Sequence, residues 1–459
     1  MDCVNLRRKG YDMTRRSLFL AVAGVMGVGS CWAGEITTAP TEITKWPHGR
    51  KTAVSITYDG GTINQFKVAV PIMDELKLPA TFFIVTGDIT GSRYKGGFIG
   101  RPVEEILRES ATVPISKDNF FERATAVRYL GYEGAMAYHT RAGDMFELGK
   151  FDEAHKHIAE AYASVRNGQL KRLPSADIPD NPTVDVSWDE LKALAERGYE
   201  FGSHSVTHPQ PAICDDPNLR YEIEKSREEI LYHLGSRHTF SCELPHGSEN
   251  PRVMALGLKV YPALRNRMPA DYLEEINRWS KKDPLTSGRE YVQWQRGPKT
   301  KTTVPEMTGW LDTCITRDNI WLVLTFHGVD GIGYEPKTGA DVRAFCEYLN
   351  LHRSDVWVAT FGDATKYIRE RMGATVHTKI EGEKILVNVK HKLDAGLYDV
   401  PLTLKTYVPE EWKRARLSQP GRTPLLETRT DEHGRYVLYD ILPNAGPAEL
   451  THGLASIPN

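Results

Sequence analysis

Two strands that read as buried on both faces, joined by a single amphipathic helix, constrain this chain more than any other feature. Ala53-Val54-Ser55-Ile56-Thr57-Tyr58 is an almost unbroken apolar run. Gln65 to Leu76 then places Phe66, Val70, Met73 and Leu76 at helical spacing. Ala80-Thr81-Phe82-Phe83-Ile84-Val85 is a second apolar run, with Gly87 behind it. Strands lacking polar alternation need cover on both sides, so this β-α-β unit predicts a parallel sheet flanked by helices.

The alternation breaks and resumes. From Gly91 to Asn181 the pattern is helical and polar, as in Asp152 to Val165, which predicts an insertion with its own helices. Afterwards come a helix from Trp188 to Arg197 closed by Gly198, a strand from Tyr199 to Gly202, a helix from Leu219 to Leu234 and a strand from Thr239 to Leu244. Tyr261 to Lys301 is basic and Trp-bearing without clear period, and reads loosely as barrel strands joined by a long loop. Ile320 to Phe326, a helix around Val342 to Leu351, Val356 to Thr360 and a closing helix from Gly362 to Arg371 complete the series. Beyond Met372, alternation in Lys384 to Val389 and Tyr436 to Tyr439, with glycines at 382, 396, 421 and 434, predicts a small all-β domain over 373–459.

A chain of 459 residues exceeds one ordinary core, consistent with a large domain over 46–372 and a smaller one after it. Its 58 Lys and Arg against 60 Asp and Glu give a formal charge of -2, which argues against a nucleic-acid surface. Ahead of the first strand, Thr14-Arg15-Arg16-Ser17-Leu18-Phe19-Leu20 precedes a short Gly- and Ala-rich stretch from Ala21 to Gly29. Residues 1–33 therefore resemble a twin-arginine signal peptide. The expected product is exported, periplasmic or secreted, with no membrane span in the mature chain. Val28-Gly29-Ser30-Cys31 also resembles a lipoprotein box that would tether it through Cys31. Cys214, Cys242, Cys314 and Cys346 lack metal-site spacing and read as buried thiols.

Asp59 stands at the end of the first strand, His204 and His208 at i, i+4 after a later one, and His327 after another. An i, i+4 pair on a helical turn would put both imidazoles on one face, able to grip one cation, so the set suggests a metal-assisted hydrolase. The elements are Thr57-Tyr58-Asp59-Gly60-Gly61, Ala80 to Gly87, His204-Ser205-Val206-Thr207-His208-Pro209, Pro245-His246-Gly247 and Leu324-Thr325-Phe326-His327-Gly328. In this order they resemble the polysaccharide deacetylase superfamily, carbohydrate esterase family 4, from about Lys51 to Met372.

The resemblance implies an α/β fold: a distorted (β/α)7-type barrel with a helical insertion over 91–181, followed by the all-β domain. Its site would lie at the carboxyl ends of the strands. It further implies Asp59 as base, His204 and His208 as ligands of a divalent metal with zinc foremost, His327 as the acid, and an acetylated glycan or oligosaccharide as substrate. A backbone N–H near His246 would help hold the oxyanion, and Trp294, in the stretch from Trp294 to Trp310, would floor the sugar site.

The chain departs from the pattern at Gly60, where the family carries a metal-binding Asp. The third ligand is then Asp59 moved inward, Asp88 or Asp330, or the metal is weakly held. Glu243 stands where the family often has Arg, and His246 replaces Tyr. Two alternatives to a metal-dependent deacetylase follow. One is a non-catalytic carbohydrate-binding relative; the other is a metal-independent amidohydrolase.

Overall fold

The computed structural model describes residues 41–175, 178 and 181–453. The signal-peptide segment and Cys31 lie outside the described residues. The strands of the large sheet, after a short β1 (Thr41–Ile43), are β2 (Thr52–Gly60), β3 (Thr81–Ile84), β4 (Glu200–Ser203), β5 (Ser241–Cys242), β6 (Ala263–Leu264), β7 (Leu273–Ile276), β8 (Tyr291–Arg296), β9 (Ile320–Phe326) and β10 (Val356–Val358). They run in the order β6-β5-β4-β3-β2-β9-β8-β7, each neighbouring pair parallel, and β10 pairs in parallel with the start of β2. The curled sheet is thus a distorted barrel, and the long irregular stretch after Tyr261 supplies β6, β7 and β8.

Burial on both faces makes the central strands legible. Val54, Ile56, Tyr58, Phe82, Ile84, Phe201, Leu322 and Leu324 share one core, while Ala53, Phe83, Trp321 and Val323 face another. The hydroxyls of Thr52 and Thr57 inside β2 donate to the carbonyls of Ile320 and Leu324 on the neighbouring strand, so neither is an unpaid polar group in the core. Helix starts are written locally. Ser187 with Glu190, and Thr303 with Glu306, form capping boxes for Trp188–Glu196 and Val304–Ile315.

The helix predicted from Gln65 to Leu76 is not uniform. Gln65–Ala69 is a widened π turn that tightens into an α-helix at Val70–Glu75. Pro71 has no N–H to bond the carbonyl four residues back, and the wider turn accommodates the loss. The turn leaves Gln65 fully buried, its amide donating to the carbonyls of Asp59 and His327 at 2.6 and 2.7 Å. One side chain thereby ties the ends of β2 and β9 together.

The insertion forms helices Val103–Glu109, Phe120–Ala126, Ala135–Glu147 and Phe151–Arg166 around its own apolar cluster, which includes Phe120, Ala142, Ile158 and Tyr162. Ile213, from the loop after β4, packs into that cluster.

The all-β region contains β11 (Thr375–Glu381), β12 (Lys384–Lys390), β13 (Leu402–Tyr407), β14 (Arg414–Ser418), β15 (Leu425–Glu427), β16 (Arg429–Asp431), β17 (Gly434–Ile441) and β18 (Ala448–His452). They make two antiparallel sheets, β1-β13-β17-β16 and β11-β12-β18-β14-β15. Residues 41–43, ahead of the barrel's first strand in sequence, are a strand of the C-terminal sheet. Tyr367 on the closing helix Phe361–Gly373 is part of the same apolar cluster as Val387, Leu404 and Val437. The four cysteines of the described region are free and buried. Among the described residues no helix is long and apolar enough to cross a membrane.

Candidate active site

Asp59, at the end of β2, does not stand alone. Arg265, just past β6, donates from Nη1 to Asp59 Oδ1 and from Nη2 to Asp59 Oδ2, both at 2.6 Å, and also to the Thr57 hydroxyl at 2.7 Å. The same Nη2 lies 2.8 Å from Glu243 Oε1. All three charged groups are buried. Burial alone would raise the Asp59 pKa, but the Arg265 charge and its paired hydrogen bonds outweigh it and hold the carboxyl well below the carboxylate range. Burial pushes Glu243 up to about 7 despite the same guanidinium. Where the sequence has Glu243 in place of an arginine, a guanidinium therefore reaches the site from the next strand, with Glu243 as its second anion. Arg265 was missed in the sequence because its only signal is an arginine directly behind the strand pair Ala263-Leu264.

His204 and His208 do come together, their ring centroids 4.8 Å apart, but not on a helix. The segment is a loop in which Ser205 and His208 take positive φ of 67° and 55°. Left-handed residues other than glycine need outside support. Glu222, on the helix Asp216–Leu234, accepts from the backbone N–H of Val206 and Thr207 and from the Thr207 hydroxyl. Arg128 of the insertion donates to the Thr207 hydroxyl at 2.9 Å and to its carbonyl at 2.7 Å. His139, on the insertion helix Ala135–Glu147, accepts from the Gln210 N–H at 3.0 Å. The insertion thus builds the histidine loop as well as walling the cavity. Gly87 is required beside it, because a Cβ there would lie 2.4 Å from the Val206 carbonyl oxygen.

His204 Nδ1 lies 2.9 Å from the Glu243 carbonyl; since a carbonyl only accepts, Nδ1 carries the proton and Nε2 keeps its lone pair. His246, at positive φ, brings a third ring 4.7 Å from that of His208. His327 Nε2 lies 3.6 Å from Asp59 Oδ2 and 3.4 Å from Arg278 Nη1. Burial lowers all four imidazoles, His204 and His327 to about 4 and His208 and His246 to about 3, so each is neutral at pH 7. These four histidines and Asp59 line one cavity of about 800 Å³, with Thr140 and Asp144 from the insertion and Arg278, Trp279, Lys281, Lys299, Tyr334 and Glu335 from the loops after β7, β8 and β9.

Other expected residues lie elsewhere. Asp88 and Asp330 are not among those that line this cavity. Asp88 Oδ1 accepts from the Asn181 N–H, and Asp330 Oδ1 accepts from Gly339 N–H at 2.6 Å, stabilising the turn before a helix. Trp294 alternates inward on β8 and is 5% exposed in the core, whereas the exposed aromatic at the cavity is Trp279. Strand parity decides this: Trp294 faces the barrel helices, and Trp279 follows the end of β7.

A His-His-carboxylate cage is not complete. Each Asp59 oxygen accepts from Arg265, Asp88 and Asp330 do not line the cavity, and among the described residues no three His, Cys, Asp or Glu side chains form an ion-holding arrangement. At Gly60 an added Cβ would meet nothing within 4 Å, so the position has room for a ligand but carries none.

Residues 151–260, which hold the histidine loop, Glu222 and Glu243, match the family model described as polysaccharide deacetylase. That stretch is similar to polysaccharide deacetylases. A gellan lyase from Bacillus sp is 26% identical over 285 residues, which is 58% of this chain and 11% of that protein, so the chain spans a small part of its length. Among solved structures, a Mycobacterium smegmatis protein of polysaccharide deacetylase type has a TM-score of 0.37 at 16% identity, covering 74% of this chain and 96% of its own. A family 4 carbohydrate esterase from Bacillus anthracis has a TM-score of 0.32 at 13% identity, covering 71% and 86%.

Proposed function

We propose that this chain is a polysaccharide deacetylase, hydrolysing acetyl groups, amide or ester, on a glycan. The observation that carries the reading is the Asp59 and His327 pair, 3.6 Å apart, facing a cavity with His204 and His208 beside it at the carboxyl ends of the strands. Water attacking an acetyl carbon there delivers its proton to this pair, and His327, the member turned to the cavity, returns it to the departing nitrogen or oxygen. Arg278, next to His327 Nε2, offers positive charge to the oxyanion that forms. Arg265 keeps Asp59 ionised and fixed, so its role is to orient.

Beside His204 and His208 the donor set lacks its third member. That same observation supports a second reading, metal-independent hydrolysis in which Arg278 supplies the charge. His204 and His208 remain the pair that would draw a divalent ion such as zinc. The twin arginines at Arg15 and Arg16 support export to the periplasm or medium, or tethering through Cys31. Cell fractionation that finds the full-length chain only in the cytoplasm would overturn export.

The deciding experiment is acetate release from acetylated oligosaccharides by the purified chain, alone, with zinc and with chelator. Release that vanishes in Asp59→Asn and His327→Ala supports hydrolysis at this site, and chelator resistance selects the second reading. Retention of glycan with no acetate released under any condition would instead mark a binding protein.

A further inference from the structure

The loops after β7 and β8 place two cations against one exposed indole and a third in the same cavity. Trp279 is 61% exposed, with the Arg278 guanidinium carbon 5.2 Å and the Lys299 ammonium 4.8 Å from the ring centroid. Lys281 lines the same cavity. Among the described residues none of the three forms an ion pair with a carboxylate. Of the acids that share the cavity, Asp59 is paired with Arg265, while Asp144 Oδ1 and Glu335 Oε2 accept from the Gln210 amide and the Thr300 N–H and keep their charge, that of Glu335 within electrostatic reach of Lys299. Asp144 also comes from a different wall, the insertion helix. One wall therefore presents an exposed indole with an excess of positive charge, three cations against Glu335.

An indole face suits a sugar ring, and unpaired ammonium and guanidinium groups beside it suit an anionic substituent on that sugar. We infer that the glycan acted on here is acidic, with a carboxylate-bearing sugar seated on Trp279 and its carboxylate met by Lys281 and Lys299. This inference rests on the deacetylase reading, since it assigns the substrate class of that site. Arg278 stands between the two functions, touching both the indole and His327.

The test is calorimetric titration of the full chain with uronic-acid oligosaccharides of α and β linkage, each against its methyl-esterified, neutral counterpart of equal length. A sulfated neutral backbone is the third arm. The acidic form is expected to bind about tenfold tighter at low salt, the order given by two exposed charge pairs, with the ratio shrinking as salt rises. Replacing both lysines, Lys281→Ala with Lys299→Ala, should bring the ratio to about one, while Trp279→Ala weakens acidic and neutral forms together. Equal affinity for acidic and neutral forms throughout the panel, or a preference that survives the double substitution, would overturn the inference. So would a sulfated backbone binding as tightly as the carboxylated one, because recognition would then be of charge alone. Acetate release measured on a neutral acetylated glycan separates the two claims. Release without acidic preference removes this inference and leaves deacetylation standing; acidic preference without release from any substrate removes deacetylation.

Discussion

Replacing Arg265 by leucine removes the one cation between two buried carboxylates, and its consequences can be worked out in sign and size. Arg265→Leu deletes two 2.6 Å bonds to Asp59 and a 2.8 Å contact with Glu243, all three groups being almost wholly enclosed. Orphaning a buried charge in this way costs about 3–5 kcal/mol, against about 0–1 kcal/mol for an exposed pair. In the parent protein the Asp59 pKa is depressed, so its stabilising contribution is present above the unfolded value and is lost as pH falls through the lower folded one. Without Arg265, burial acts unopposed and lifts the folded pKa above the unfolded one. The variant is then penalised as pH rises, by about 1.4 kcal/mol for each unit of the shift. Urea unfolding should therefore show a larger deficit at pH 8 than at pH 5. Asp59→Asn combined with Arg265→Leu should recover part of it, since the orphaned charge is gone. A deficit below about 1 kcal/mol, or one equal at both pH values, would refute the reasoning. A double variant no more stable than the single would do the same.

Three further outcomes are expected. Glu222→Gln leaves a single acceptor oxygen for three donors of the histidine loop, so thermal unfolding should register a loss of about 1–3 kcal/mol, with acetate release falling alongside as His208 loses its support. Gly60→Asp, at a position with φ of 91°, should cost about 1–3 kcal/mol of stability yet raise zinc affinity measured by calorimetry, because it supplies the missing carboxylate. His204, His208, His246 and His327, held neutral in the fold, take up protons on unfolding between pH 6.5 and about 4. Stability should therefore fall as pH drops through that window, by about 1.4 kcal/mol per pH unit for each histidine, and replacing His246 with Gln should flatten the slope.

The strands around Asp59 were legible because double-faced burial leaves an apolar run with no polar alternation, and Thr52 and Thr57 hide their hydroxyls on neighbouring carbonyls. His204, His208, His246 and His327 converge as their positions at strand ends implied. The way they converge was not legible. A helical turn was the simple geometry for an i, i+4 pair, whereas the loop takes positive φ at Ser205 and His208 and leans on Glu222, Arg128 and His139, which lie far away in sequence. Arg265 escaped notice for a related reason: a residue whose partners are set by tertiary packing has no periodic mark. Trp294 and Trp279 could not be told apart while the edges of β7 and β8 were undefined. Asp88 and Asp330 were sensible by position, but neither lines the cavity, and each accepts a backbone N–H elsewhere.

β1 has a kinetic consequence. Its three residues pair with β13, Thr41 opposite Thr406 and Ile43 opposite Leu404, and the Thr41 and Thr406 hydroxyls lie 3.0 Å apart. At about 5–20 residues per second, a ribosome needs roughly 20–70 s to make the chain between them. Through that interval the barrel can assemble while the segment beside β2 waits without a partner. The C-terminal sheet closes only when the last part of the polypeptide returns to the first described residues. A fragment ending at the barrel's last helix would keep the cavity walls but expose the edge that β13 covers, so expression of the barrel alone should yield a more aggregation-prone protein than the full chain.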